Sequence, residues 1–584
     1  MTATDPPPAP AADDATLRLE PTSSRRSHLD IVDPDERAAE KAPPDVVWVD
    51  WDGPECVLLA HKSSSLFCST LRLPTDRHGM ESANWPVDLV VARSDPANPL
   101  NWSRRRKWVV SSVGSFFCTL VSLSVSGYSI AEVSVEEELD TSKTLSLLGL
   151  TTFTLAFAIA PLILAPLSEV YGRSFIYFAS AVVFALFFIP QALAKNIETV
   201  LIARFISGCA GSTAVSIAGG TLADVWRGAD RGAPMAFFTL AAVAGPGLGP
   251  VLFGYLAQLK GFPYLSWVLF AMSSVFALSL PFILDETRAS VLLSRKAARL
   301  RKETGDERYQ SKDDFERGSI RELMKTSLGR PVQMLMREPV LIAITAWISF
   351  TWGVLYLFLV SIPTVYKGVF GFNTGQAGLV YMGQFVGGSL GMVFDRYCER
   401  FYQRNVAKRG PEARLYSAFG GGIFLPVGAF IFCFTSYPQC HWMGSVIGVV
   451  ILYAGVYLSY LAAYSYLAEA YTLYAASALS AMSFARNVIA AVFPLFTPAM
   501  YDRLGVQGAT GLTAGLDTLL SVTPFVLFAF GGRLRLRSPF AMELARREEA
   551  ERAKWVALKG NGTLEDSRNR SEEKLGKETT ETAV

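Results

Sequence analysis

Six charged residues sit where long apolar runs end, and the arrangement occurs twice. Glu169 and Arg173 lie in Ala165-Pro166-Leu167-Ser168-Glu169-Val170-Tyr171-Gly172-Arg173, and Asp224 follows in Leu222-Ala223-Asp224-Val225-Trp226. The second half repeats the order. Asp395 and Arg396 close Gly391-Met392-Val393-Phe394-Asp395-Arg396, and Glu469 lies in Leu467-Ala468-Glu469-Ala470-Tyr471. Acids and bases so placed can pair, part and re-pair, or exchange protons. They do not make the trio of nucleophile, base and orienting group that bond cleavage needs. A soluble enzyme has little reason to put carboxylates at the ends of apolar runs of roughly 20 residues.

Two arginines lie inside such runs. Arg204 sits in Leu201-Ile202-Ala203-Arg204-Phe205-Ile206-Ser207-Gly208, and Arg486 is followed by Asn487. A lone arginine in a membrane span costs at least ~2.5 kcal/mol, so each needs a partner or a wet cavity. Glu469 is the expected neutraliser of Arg486. The chain has four histidines, His28, His61, His78 and His441, three in the N-terminal region and one by a short loop. With no Cys-x-x-Cys among seven cysteines and no Gly-x-x-x-x-Gly-Lys-Ser/Thr loop, no catalytic residue, metal site, cofactor or ATP-driven pump is expected.

The elements that hold these residues are apolar helices. Of 584 residues, 51% are hydrophobic and 18% charged. The charges gather in the first hundred residues, from Arg288 to Arg337, from Asp395 to Arg414 and in the last fifty. Twelve spans fill the rest, near 108–131, 144–166, 174–194, 197–221, 234–258, 264–284, 339–362, 374–394, 415–435, 442–466, 477–500 and 510–531. Lys and Arg crowd alternate loops: Arg104 to Lys107, Arg173, Arg227, Arg231, the stretch after Arg295, and Arg396 to Arg409. The opposite loops hold Lys143, Lys195, Lys260, Lys367 and Arg503. The bias puts both termini in the cytosol. The net charge of +2, confined to loops, gives no reason to expect nucleic acid as a partner.

The chain therefore divides into a disordered region (1–105), a six-helix bundle (106–284), a cytosolic loop (285–337), a second six-helix bundle (338–533) and a charged tail (534–584). The expectation is an all-α integral membrane protein with twelve transmembrane helices. The two bundles are related by a pseudo-two-fold axis, the build of a secondary transporter. A monomer suffices.

These motifs resemble the major facilitator superfamily. Residues 165–173 are similar to its loop motif Gly-x-Leu-x-Asp-x-x-Gly-Arg-Arg/Lys, with Ala165 for the leading glycine, Glu169 for aspartate and Ser174 for the second base. The resemblance implies that Glu169, Gly172, Arg173 and Asp224 form a cytosolic turn and charge cluster favouring one access state, repeated by Asp395, Arg396 and Glu469. Arg204 matches the fourth-span Arg-x-x-x-Gly. That motif implies a part in proton transfer, against the alternative of an arginine held by backbone carbonyls. Gly245-Pro246-Gly247-Leu248-Gly249-Pro250 resembles the fifth-span signature of the antiporter branch, carried by Gly245, Pro246, Gly249 and Pro250.

More local matches point to fungal drug:proton antiporters. They are Asp95-Pro96-Ala97-Asn98-Pro99-Leu100-Asn101-Trp102, Glu286-Thr287 with Val291 to Arg301, where Arg288 takes a tyrosine place, and Phe493-Pro494-Leu495-Phe496. Together the resemblance covers about residues 94–540. It implies export of small organic molecules (drugs, toxins or secondary metabolites) by proton antiport with alternating access, from the plasma membrane or, alternatively, the vacuolar membrane. The proton gradient would be the energy source. Polyamine export, uniport and import by the same fold are the alternatives. The first span carries no embedded acid, Glu132 standing at its outer end, which leaves uncoupled export open. Aromatic and polar residues on the central spans are the cavity candidates: Trp347, Trp352, Tyr356, Gln384, Arg486 and Asn487.

Residues 56–93 differ in texture from their flanks, and Trp51-Asp52-Gly53-Pro54 would run smoothly into Ser94-Asp95-Pro96. Either this is a translated intron or an ordinary insertion. Sequencing the transcript decides: a spliced message lacking these codons is expected from the first reading, and a message retaining them rejects it.

Overall fold

The computed structural model describes residues 47–49, 95–535 apart from 228–229, 307 and 312–319, and a few positions between 538 and 546. Residues 56–93 and three of the four histidines lie outside the described residues.

Among the described residues, ten helices are long and apolar enough to cross a membrane. Two of them bend at a glycine and hold two passes each. Gly232–Ile283 breaks at Gly261 (φ 77°), which separates the fifth and sixth spans. Ala475–Leu520 breaks at Gly505 (φ 70°), separating the eleventh from the twelfth, and Thr523–Arg535 continues the latter. Left-handed backbone at both sites favours glycine. The others are single passes: Arg104–Ile130, Lys143–Tyr171, Arg173–Ala192, Ile197–Val225, Pro339–Gly368, Thr374–Val406, Gly410–Thr435 and Trp442–Tyr471. Small polar residues start several of them. Ser103, Ser142 and Asn196 each accept a backbone N–H at a helix start, and Asn373 forms a capping box with Gln376.

Lipid provides no hydrophobic drive between helices, so the spans pack where small residues let backbones touch. A Cβ on Gly208 would meet the Phe153 carbonyl at 2.7 Å, joining spans two and four. Gly428, Gly448 and Gly455 lie against the backbones of Leu452, Phe432 and Leu425, joining spans nine and ten.

The two bundles meet along four seams. The fifth span faces the eighth, with a Cβ on Gly254 placed 3.3 Å from the Gly378 Cα, while one on Gly378 would strike the Pro250 carbonyl. Ser129 Oγ donates to the Leu359 carbonyl at 2.7 Å, tying spans one and seven. Thr151 Oγ1 donates to the Ala491 carbonyl at 2.8 Å and Asn487 Nδ2 to the Phe157 carbonyl at 3.0 Å, tying spans two and eleven. Tyr457 donates to the Ala236 carbonyl at 3.1 Å between spans ten and five.

Four features depart from the expected outline. The region expected to be disordered through residue 105 is ordered from Asp95, whose carboxylate pairs with Lys296 at 3.3 Å. Val47–Val49 pairs in parallel with Tyr309–Ser311, a two-stranded ribbon beside the helices. The loop after the sixth span holds the helices Ala289–Thr304 and Ile320–Arg337. The eighth helix also runs on to Arg409, so Asp395 and Arg396 stand on helix rather than in a loop.

Gly378→Val puts methyl groups into the Pro250 backbone. The variant is expected to reach the membrane in normal amount and to lose at least tenfold in transport, measured per molecule of membrane protein. Normal transport would show the fifth–eighth seam to be dispensable.

Candidate functional site

A narrow central cavity of about 40 Å³ lies between the bundles. Spans one, two, four, five, seven, ten and eleven line it, among them Cys118, Ser122, Phe157, Pro246, Trp352 and Tyr356. Tyr460, Arg486 and Asn487 complete the wall. Four of the expected cavity residues, Trp352, Tyr356, Arg486 and Asn487, are therefore brought together. Trp347 and Gln384 are not. Trp347 is packed in the second bundle at 1% exposure. Gln384 is buried where it donates from Nε2 to Tyr453 at 2.8 Å, and its Cβ lies against Gly247 at the fifth–eighth seam.

Arg486 is 2% exposed. Its guanidinium lies 4.3 Å over the Trp352 ring and 5.1 Å from that of Tyr460. Nη2 reaches Ser483 at 3.2 Å, while Nε and Nη1 have no acceptor. The expected neutraliser is elsewhere: Glu469 is held by Arg414 at 2.6 Å. Among the described residues Arg486 has no ion pair. The site is thus a buried cation on aromatic faces with unspent N–H donors.

Arg204 is buried above the cavity's first-bundle wall. Its Nε donates to the Gly149 carbonyl at 2.6 Å, and its guanidinium lies 3.9 Å over Tyr128 and 4.9 Å from Phe153. Nη2 is unpartnered. The geometry contains the carbonyl-held arrangement, and it brings no carboxylate to this arginine.

The expected charge cluster assembles around Arg173. Nε donates to Asp224 at 3.1 Å, Nη1 to Ser168 at 2.8 Å, and Glu169 lies 3.9 Å away. Arg288 lies within 3.6 Å of Asp224 and 3.8 Å of Glu169, so two acids share two bases. Glu286 builds the turn beneath them. It accepts from the backbone N–H groups of Arg173, Thr287 and Arg288 at 2.9 Å and from Ser174 Oγ at 2.9 Å. Gly172 (φ 102°) leaves no room for a Cβ, which would strike the Glu286 carboxylate.

The second half builds its cluster from different bases. Glu469 takes Arg414 and Tyr402, and Arg414 also binds Glu399 at 2.8 Å. Asp395 accepts from Ser417 at 2.8 Å. Arg396 is exposed and forms no ion pair among the described residues. Repetition along the sequence thus placed the acids but not the base.

The fifth-span motif is a backbone wedge. One face lies on the first span, a Cβ on Gly245 being 3.0 Å from Ser122 and one on Gly249 striking the Ser126 hydroxyl. On the other face, a Cβ on Gly247 would lie 2.7 Å from the Tyr381 carbonyl. Pro246 enters the cavity wall and Pro250 backs Gly378.

Residues 113–494 match the family described as the Major Facilitator Superfamily. The chain belongs to that superfamily. It is similar to the transporter paaT of Penicillium rubens, 35% identical over 76% of this chain and 82% of that protein. It is also similar to the multidrug transporter mdrA of Aspergillus fumigatus, 33% identical over 78% and 76%. The fold is that of a proton:xylose symporter, XylE, solved with a bromo-deoxyglucose (TM-score 0.55, 15% identity, covering 74% of this chain and 96% of that one). The chain is a multi-pass membrane transporter of the superfamily rather than an enzyme.

Several members of this transporter's site escaped the sequence reading. Arg288 and Glu286 join the cluster across more than a hundred residues, and Arg414 replaces Arg396. Asp517, in the twelfth span, is fully buried with neither oxygen partnered. A lone acid inside an apolar run was the available signal for it.

Glu286→Ala leaves several buried N–H donors unpaired. It is expected to cost about 3 kcal/mol, several donors each losing about 1 kcal/mol, and to lower the thermal midpoint of the purified protein. An unchanged midpoint would remove Glu286 from the turn's support.

Proposed function

We propose that this protein exports small amphipathic organic molecules carrying an anionic or hydrogen-bond-accepting group, in exchange for protons. The observation that carries this is Arg486: a buried guanidinium with free N–H groups on the cavity wall, flanked by Trp352 and Tyr460. Flat aromatic faces take up apolar ring systems, and the cation selects an acceptor. A polyamine finds no carboxylate on this wall. The relatives named as a multidrug transporter and as efflux pumps support export as the direction, and the fifth-span wedge resembles the antiporter signature.

Access alternates as one bundle rocks against the other about the seams at Gly378 and Leu359. The cytosolic cluster of Arg173, Asp224 and Arg288 holds one end closed and must part for the other state. A monomer in the plasma membrane with both termini cytosolic fits this scheme, and the proton gradient supplies the energy.

Expression in a pump-deficient yeast tests it, with growth scored against a panel of toxic organic acids, neutral organics and polyamines. Resistance to acids or neutral acceptors is expected, lost on collapsing the proton gradient and in Arg204→Ala. Arg486→Gln should weaken resistance to anionic members at least tenfold and spare neutral ones. Resistance confined to polyamines, or indifferent to Arg486, would overturn the reading.

A further inference from the structure

The short helix Glu132–Glu138 follows the first span on the outer side and carries four acids. Glu138 supports the Gly261 break, where it and Ser134 accept the Phe262 N–H at 3.2 and 2.8 Å. Glu137 is exposed. Glu132 and Glu136 differ from both. Glu132 is 9% exposed. The two carboxyls stand one turn apart on this helix and act on each other, and each has a buried Oε1 with no hydrogen-bond partner. A carboxyl oxygen shut off from water and given no donor favours the protonated form, and a second acid one turn away adds to that preference.

The pair also stands at a mechanical position. Reading outward along the first span, Val125 lines the cavity, Ser129 bonds Leu359 of the seventh span, and Glu132 comes next. Leu359 is itself cavity wall. Glu132 thus lies just outside the contact that shuts the cavity on the outer face. Charged and titratable groups face it from each neighbouring element. Glu136 is on its own helix, Lys143 starts the second span and Lys367 ends the seventh. Tyr128 belongs to the first span and Tyr381 to the eighth. Lys367 and Tyr381 belong to the opposite bundle. A chain of contacts runs inward as well. Ser146 Oγ donates to the Glu132 carbonyl, Tyr128 donates to the Ser146 carbonyl, and Tyr128 carries Arg204 on its face.

We propose that the Glu132–Glu136 pair is the proton-binding latch of the outer seal, closing it when a proton is taken up from outside and releasing it when that proton leaves. Burial, with Glu136 adding to it against the pull of Lys143 and Lys367, raises the Glu132 carboxyl from 4.5 to about 7 in the closed arrangement. Opened to water, the same carboxyl returns toward the ordinary value of about 4.3. The closed state then binds the proton more tightly, so closure is favoured as pH falls from about 7 and opposed as pH rises through it. The proton that closes the outer face rides inward with the transporter, the return half of an antiport cycle.

This rests on the antiport reading for its use but not for its test. The full-length protein in nanodiscs, without substrate or gradient, carries spin labels at Lys195→Cys and Gln439→Cys in a cysteine-free background, on exposed outer loops of the two bundles. The label distance is expected to shorten as pH falls from 8 to 5.5, with a midpoint near 7. Glu132→Gln should hold the short distance at every pH, and Glu136→Gln should lower the midpoint. A distance indifferent to pH, or a pH profile unchanged in Glu132→Gln, overturns the latch. A responsive seam in a protein that moves no protons during export keeps the latch and overturns antiport instead.

Discussion

The structure depends on backbones touching across the fifth span. Helices in lipid gain nothing from hiding apolar surface, so what holds them is close van der Waals contact. Gly245 and Gly249 set one face of that helix against the first span, and Gly247 and Gly254 set the other against the eighth. A bundle and its opposite number are therefore both fitted to a single helix. Its prolines remove N–H groups where a straight helix would need them and shape the wall at Pro246. Contacts of this kind store little energy per atom and vanish with a small shift, which suits a seam that must open and close.

Charge is distributed around that wedge in three layers. At one end of the spans Arg173, Asp224 and Arg288 meet, and Arg414 with Glu469 does the same for the second bundle. At mid-depth Arg204 and Arg486 are each spread over aromatic rings and left with free N–H groups. At the opposite end lie Glu132 and Glu136. Asp224 and Glu469 each have a base beside them, whereas Arg486 on the cavity wall has no acid and keeps N–H donors for an acceptor that enters the cavity. A substrate with an acceptor group supplies one.

Much of the fold was legible in the sequence because the bilayer enforces it. An apolar run near twenty residues long has one stable form in hydrocarbon, and the loop charges orient it. The turn glycine Gly172 and the acids Asp224 and Glu469 were legible for a related reason, since charge at a span's end has few places to go. The misplaced residues share a different property. Arg396 was chosen for its neighbour in sequence, yet it lies on the exposed side of a helix that continues past the membrane. Glu286, Arg288 and Arg414 reach their partners through folded space.

The sequence by itself determined the number of spans, the two-bundle plan and the membership of the family, because these follow from hydropathy and local motifs. The tertiary structure decided which charges meet, which arginine faces the cavity without a counter-ion, that Trp347 and Gln384 turn away from it, and that Glu132 is shut off from water beside Glu136. Pairing and burial depend on helix rotation and crossing at distances of a few ångströms. That information exists only once the glycines have brought the backbones together.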